Sequence, residues 1–175
     1  MRLFIAVNFP TDIKAIIAQC RDSLKQAAWQ GNFSLDANLH LTLVFLGECD
    51  VVQTNIVKAV MDEARFEAFT LILDKVGRFK RYGGDTWWIG LKENRALSDL
   101  QAALTGRLIQ KGLMLENRLY SPHVTIGREI KLRPGIDTPD IPQVDFPIVS
   151  IELMKSERIN GKLTYTPVHS KRADH

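Results

Sequence analysis

Cysteine is nearly absent: Cys20 and Cys49 are the only two in 175 residues, far apart and without C-x-x-C spacing. That excludes a disulfide framework, a cysteine-based zinc site and a dithiol redox motif, and leaves two buried thiols as the expectation. Long apolar runs are missing too. The run LFIAV at 3–7 is too short for the core of a secretory signal, and NFPTD follows it where a small-residue cleavage site would stand. No stretch has the length to span a bilayer, so the expectation is a cytoplasmic protein. No G-x-x-x-x-G-K-[ST] loop is present, and nucleoside triphosphate chemistry has no support. Charge of one sign is scarce: the formal excess of +3 suits an anionic substrate but does not by itself argue for nucleic-acid binding. What is present, 45% hydrophobic and 25% charged residues, is the mixture of a water-soluble folded chain. The length suits one domain over 1–175, built as one body or as two small, intimately packed lobes.

Periodicity divides the chain. LFIAVNF at 3–9 reads as a strand, and Ile13, Ile16, Ile17, Cys20, Leu24, Ala27 and Ala28 recur at helical spacing from Thr11 to about Ala28. LHLTLVFLG at 39–47 reads as a strand. Asp50 with Gln53 forms a capping-box pattern ahead of a helix with Val52, Ile56, Val60 and Ala64 on one face. FTLILDKVGRF at 69–79 and TWWIGL at 86–91 bracket a turn with paired glycines, which predicts a hairpin. Asn94 caps a helix with a Leu97, Leu100, Leu104, Leu108 stripe, closed by Lys111-Gly112. HVTIGRE is a further strand. Four prolines across 131–147 predict an irregular loop, Asn160-Gly161 predicts a closing hairpin over 148–168, and the tail from His169 is expected to fray.

These pieces repeat. LFIAV, a helix and HLTLVFLG match WWIGL, a helix and HVTIGR, with H-x-T-φ opening each closing strand. Aligning Ile5 with Ile89 gives intervals of 35 and 34 residues to the motif histidine. Two related halves about an approximate two-fold axis are the implied architecture.

Alternation on a strand puts His40 and Thr42 on one face and Leu41 and Leu43 on the other, and likewise His123 and Thr125 against Val124 and Ile126. One such pair is ordinarily the wet face of a half-exposed strand. Two matched pairs about a two-fold axis would line a groove with an imidazole and a hydroxyl on either wall. Imidazole both takes and gives a proton near neutrality, so one neutral histidine can activate a hydroxyl or water while a protonated one supplies the leaving oxygen. The threonine hydroxyls can donate to phosphoryl oxygens where charge develops. That set suits metal-free phosphodiester cleavage.

The double motif, HLTL at 40–43 and HVTI at 123–126, with the flanks RLFIAVNFP, NLHLTLVFLGE, WWIGL and GKLTYTP, resembles the 2H phosphoesterase superfamily across nearly the whole chain. Within it the likeness is to the RNA 2′,3′-cyclic phosphodiesterases, the LigT-like or 2′-5′ RNA ligase proteins. The resemblance implies an α+β fold of two pseudo-symmetric lobes of antiparallel sheet, helices packed outside and the site in the cleft between. It implies hydrolysis of a terminal 2′,3′-cyclic phosphate on RNA to a 2′-phosphate, without cofactor or metal; a monomer is the expectation, though the sequence is silent on oligomeric state. It assigns His123 as proton acceptor and His40 as proton donor, and the residues alone leave the reverse assignment open. Arg128 matches a family arginine that holds the phosphate. Strict alternation turns it away from His123 unless the strand ends or bulges at Gly127.

Other residues get no assigned role. Trp87 and Trp88 invite base stacking, yet neighbours on a strand face opposite ways and packing is the expectation for each. Packing is expected for Phe4 and Tyr165 too, and Lys80 and Arg81 read as a solvated hairpin tip. His169 and His175 lack the motif, and neither motif has a carboxylate or thiol at ligand spacing. Two other functions use the same residues: ligation of the cyclic end to a 5′-hydroxyl, and binding of RNA or a small cyclic nucleotide without turnover.

Overall fold

The computed structural model describes residues 1–175. Chain order is β1 (Arg2–Asn8), α1 (Thr11–Ala27), β2 (Ala28–Phe33), β3 (His40–Glu48), α2 (Val51–Glu63), β4 (Phe69–Phe79), β5 (Asp85–Leu91), α3 (Arg95–Gln110), β6 (His123–Leu132), β7 (Asp145–Ile148), β8 (Ser150–Ile159) and β9 (Lys162–Arg172). The strands form two antiparallel sheets, ordered β3-β1-β8-β9 and β2-β6-β5-β4-β7. The α+β class with two sheet lobes holds.

The local signals act as the residue types require. Asp50 accepts from the Gln53 N–H (2.8 Å) while the Gln53 side chain accepts from the Asp50 N–H (3.0 Å), closing the capping box of α2. Asn94 accepts from the Leu97 N–H (2.9 Å) at the start of α3. Asn160 and Gly161 take φ of 51° and 78°, the left-handed pair that a two-residue hairpin between β8 and β9 demands. Apolar stripes of all three helices and the inner faces of both sheets merge in one cluster of 36 buried residues. Helix α1 runs behind β6 and α3 behind β3, so each helix backs a strand of the opposite lobe.

Three segments depart from expectation. The helix expected to about Ala28 is there, ending at Ala27, but the chain then passes directly into an unexpected strand, β2, which pairs with β6 and so carries the first half of the chain into the second sheet. The proline-rich stretch 131–147 is not wholly irregular: β6 persists to Leu132, and β7 pairs with β4 at the sheet edge, where the missing N–H of Pro147 costs no ladder bond. The tail does not fray at His169. β9 continues to Arg172, the Ala173 N–H donates to the Val149 carbonyl (2.8 Å), and Asp174 accepts from the Phe66 N–H (3.1 Å).

The repeat is real in strand register but offset from the alignment of Ile5 with Ile89. His40 pairs with Asn8 and His123 with Gly90; Thr42 pairs with Ala6 and Thr125 with Trp88. Val7, not Ile5, is therefore the counterpart of Ile89. The slip is two residues, which preserves every side chain's face. Both motif strands then bulge at one equivalent place, past Leu43 in β3 and past Ile126 in β6. Their first six residues share one burial pattern as well, with the polar pair half-buried, the apolar partners buried and the sixth residue exposed.

Candidate active site

Each H-x-T strand sets its side chains by alternation on a buried ladder. Leu41 and Leu43, like Val124 and Ile126, are at most 2% exposed, which pins the opposite face of each strand toward the cleft. His40, Thr42, His123 and Thr125 stand there half-buried. The bulge beyond Thr125 adds one residue and restores parity, so Arg128 lies on the histidine side. Its counterpart in β3 is Phe45, whose ring carries the Arg2 guanidinium 5.2 Å from its centroid. The position equivalent to Arg128 thus carries an aromatic ring in the first wall, with Arg2 reaching over it from β1.

Both imidazoles are held in the same way. His40 Nδ1 lies 2.7 Å from the Asn38 carbonyl and His123 Nδ1 lies 2.7 Å from the Ser121 carbonyl. A carbonyl only accepts, so each Nδ1 carries the proton and each neutral ring presents Nε2 as its working nitrogen. Asn38 is itself anchored, its side-chain amide donating to the Leu163 carbonyl of β9 (2.8 Å). At Nε2 the two sites differ. His40 Nε2 lies 3.0 Å from Thr42 Oγ1, whose hydroxyl donates to the neutral ring, whereas Thr125 makes no such bond to His123.

Burial is the main cause that lowers both histidines below their ordinary value; the carbonyl bonds to Asn38 and Ser121 work the other way. Positive neighbours lower them further: Lys14, Arg128 and His123 for His40, and Arg128 and Arg118 for His123. His40 therefore feels the charge of His123, and Arg128 acts on both. In the free protein both rings are held toward the neutral form, and an anion between them would reverse that.

The walls are tied together by a reciprocal pair of hydrogen bonds. The Tyr120 hydroxyl, on the approach to β6, donates to the Thr42 carbonyl of β3 (2.9 Å). The Ser34 hydroxyl, on the approach to β3, donates to the Thr125 carbonyl of β6 (3.0 Å). Each motif threonine is thus gripped through its backbone by the segment leading into the other motif. Burial raises the Tyr120 pKa, so its hydroxyl remains a donor. Arg21 of α1 holds the Ser34 side of this arrangement, donating to the Ser34 carbonyl (2.7 Å) and pairing with Asp36.

Aromatic rings complete the cleft. Phe4 and Tyr165 flank His40 at centroid separations of 4.8 and 5.1 Å, and Phe79 meets His123 edge-on at 5.2 Å. Trp88 lies 6.3 Å from His123 while Trp87 is 3% exposed in the core, so packing holds for one tryptophan and the other reaches the site. Gly77 makes room for it: a Cβ there would collide with the indole. Phe4 and Tyr165 do pack, but with Ala6 and Met154 in a small cluster on the cleft face of the first sheet, apart from the main core. Lys80 and Arg81 sit at the β4–β5 turn, where Arg81 stacks on Phe79 at 5.5 Å. His169 bonds Asp62 (2.7 Å), away from both motifs in sequence. No group of three His, Cys, Asp or Glu side chains stands in an arrangement that could hold a metal ion.

Sequence reading passed over Tyr120, Ser34 and Phe79. Tyr120 sits three residues before a motif histidine, but Ser34 and Phe79 carry no local mark. They matter through partners more than 40 residues away.

Comparison with known proteins gives this geometry a family. The model of the 2′-5′ RNA ligase superfamily matches residues 9–160. A protein of Thermotoga maritima named RNA 2′,3′-cyclic phosphodiesterase is 28% identical over 95% of this chain and 89% of its own length. One of the same name from Escherichia coli is 29% identical over 95% of this chain and 93% of its own. The solved structure of E. coli LigT complexed with 3′-AMP superposes with a TM-score of 0.87 at 26% identity, covering 99% of this chain and 98% of that one.

Proposed function

Because the chain belongs to the 2′-5′ RNA ligase superfamily, we propose that it hydrolyses the terminal 2′,3′-cyclic phosphate of RNA to a 2′-phosphate, with His40 and His123 as acid and base. The observation that carries this reading is the matched pair of imidazoles, each fixed through Nδ1 by a backbone carbonyl at 2.7 Å and each coupled to Arg128. The names of the Thermotoga and E. coli relatives supply the reaction class. The substrate is RNA with a cyclic phosphate end or a small cyclic nucleotide, in keeping with a relative that holds 3′-AMP.

In this mechanism His123 Nε2 takes a proton from water as its oxygen bonds to phosphorus. The bond from phosphorus to the 3′ oxygen breaks, and that oxygen leaves with the proton of His40 Nε2. One water is consumed, and the phosphate stays on the 2′ oxygen. His40 must be protonated for this step. Binding the phosphodiester anion raises its pKa, and the new Nε2–H then donates to Thr42 Oγ1 or to the departing oxygen. The Thr42 hydroxyl, released from donating to the ring, turns to a non-bridging oxygen beside Thr125 and Arg128. Ligation is the same path with a 5′-hydroxyl in place of water.

The test is an RNA oligonucleotide ending in 2′,3′-cyclic phosphate, incubated in EDTA and analysed for product regiochemistry. The expected product is the 2′-phosphate, with His40→Ala and His123→Ala each lowering kcat by about 100-fold or more. A 3′-phosphate product would overturn the assignment of the leaving oxygen, and a variant of full activity would remove that histidine from the mechanism.

A further inference from the structure

Outside the catalytic cleft, the end of the second sheet forms an open pocket of about 630 Å³ between the β4–β5 turn, the start of β2 and the last residues of β6. Its lining includes Arg78, Arg81, Lys131 and Arg133 against a single carboxylate, Asp85. That carboxylate is already used, since it pairs with Arg78 (3.0 Å) and accepts from the Arg81 N–H (3.1 Å). Arg81, Lys131 and Arg133 form no ion pair. Two aromatic faces stand among them: Trp29 is 62% exposed, and Tyr82 is fully exposed at the tip of the turn. Lys131 lies 5.3 Å over the Trp29 ring. A packing tryptophan would hide its indole, and a merely solvated tip would not gather three unpaired cations around it.

The site is built. The Gln30 amide donates to the carbonyls of Gly83 (3.2 Å) and Glu129 (3.1 Å), clamping the turn to β2 and β6. Gly84, at φ 134°, lies so close on the Glu129 backbone that a Cβ would collide with it. The pocket also communicates with the cleft. Phe79 touches the His123 ring edge-on, Arg81 stacks on Phe79, and Arg81 lines the pocket.

We propose that this pocket holds a single-stranded segment of the RNA whose cyclic-phosphate end lies in the cleft. Trp29 and Tyr82 stack its bases, and Arg81, Lys131 and Arg133 contact its phosphates. Exposed aromatic faces interleaved with unpaired cations are the chemistry that binds single strands without reading their sequence. A mononucleoside cyclic phosphate reaches only the cleft, so the pocket distinguishes RNA ends from small cyclic nucleotides. This rests on the cleft taking an RNA end as proposed above.

The experiment compares wild type with two surface variants, Trp29→Ala and the double variant Lys131→Gln/Arg133→Gln. Turnover is measured on a mononucleoside 2′,3′-cyclic phosphate and on a cyclic-phosphate RNA of about ten nucleotides. Fluorescence anisotropy measures binding of the same RNA bearing an inert 3′-hydroxyl. Both variants are expected to weaken RNA binding and raise the RNA KM about tenfold, leaving the mononucleoside rate unchanged. The double variant is expected to flatten the salt dependence of binding by roughly 0.7 per cation removed. Equal losses on both substrates, or no loss on either, would overturn the proposal. So would competition by polyglutamate as strong as by RNA, which would assign the pocket to an acidic peptide. If wild type hydrolyses neither substrate, the reading of the cleft fails. Anisotropy still decides the pocket, since binding that survives both variants refutes it and binding that falls in both supports it.

Discussion

Tyr120→Phe removes one oxygen atom and with it one of the two hydrogen bonds that hold the motif strands side by side. The phenyl ring still fills its place, so the change isolates the bond. A hydroxyl-to-carbonyl bond contributes about 0.5–1.5 kcal/mol net, and an acceptor left unsatisfied adds cost of the same order. A loss of about 1–2 kcal/mol in unfolding free energy is therefore expected in urea. The Thr42 carbonyl belongs to the residue whose hydroxyl bonds His40 Nε2, so the loosened strand moves both polar side chains of the first motif. If about 1 kcal/mol of that restraint is felt in the transition state, kcat falls about fivefold, with KM nearly unchanged because Arg128 is untouched. Ser34→Ala tests the matching bond to Thr125 and should behave alike. A Tyr120→Phe protein that loses stability yet keeps its full kcat would show that the bond holds the fold only. One unchanged in both respects would refute the reciprocal clasp.

Arg128→Ala is expected to raise KM for the cyclic phosphate by about tenfold or more, with Arg128→Lys restoring only part of it because a fork of donors becomes a point charge; unchanged KM would place Arg128 outside the substrate. Because both histidines titrate below their ordinary value in the free protein, the population with one ring charged and one neutral is largest below about pH 6.5. kcat/KM should therefore peak on the acid side and fall through neutrality, whichever ring is the acid, and an optimum above pH 8 would contradict the environment described. Stability should follow the same groups. Their contribution is intact above the unfolded-state value of about 6.5 and is lost as pH falls below it, since the unfolded chain then binds protons that the native chain refuses. Urea midpoints of wild type between pH 7 and pH 5 measure the total loss, and a smaller loss in a His40→Gln/His123→Gln variant would assign part of it to these rings.

The two H-x-T strands were legible because their signal is local: two polar residues alternating with buried leucine, valine and isoleucine, twice. Helix caps at Asp50 and Asn94 and the Asn160-Gly161 turn were legible for the same reason. Ala28–Phe33 was not, since Gly31 and Asn32 are poor strand formers and only pairing with β6, far along the chain, makes a strand of them. The repeat was seen but set two residues out of register. Period-two alternation looks the same after a slip of two, and only the ladder from Asn8 to His40 and from Gly90 to His123 separates the alternatives. The orientation of Arg128 depended on a bulge that sequence could only name as a condition. Trp88 escaped because its partner at the site, Phe79, belongs to another strand.

The central claim is that His40 and His123 serve one phosphorus. NMR titration of the two imidazoles, free and with a non-hydrolysable phosphate monoester bound, tests it directly. Both pKa values should lie below the ordinary histidine value in the free protein and both should rise when the anion binds, with proton uptake on complex formation. An anion that raises one ring and leaves the other untouched would contradict the account.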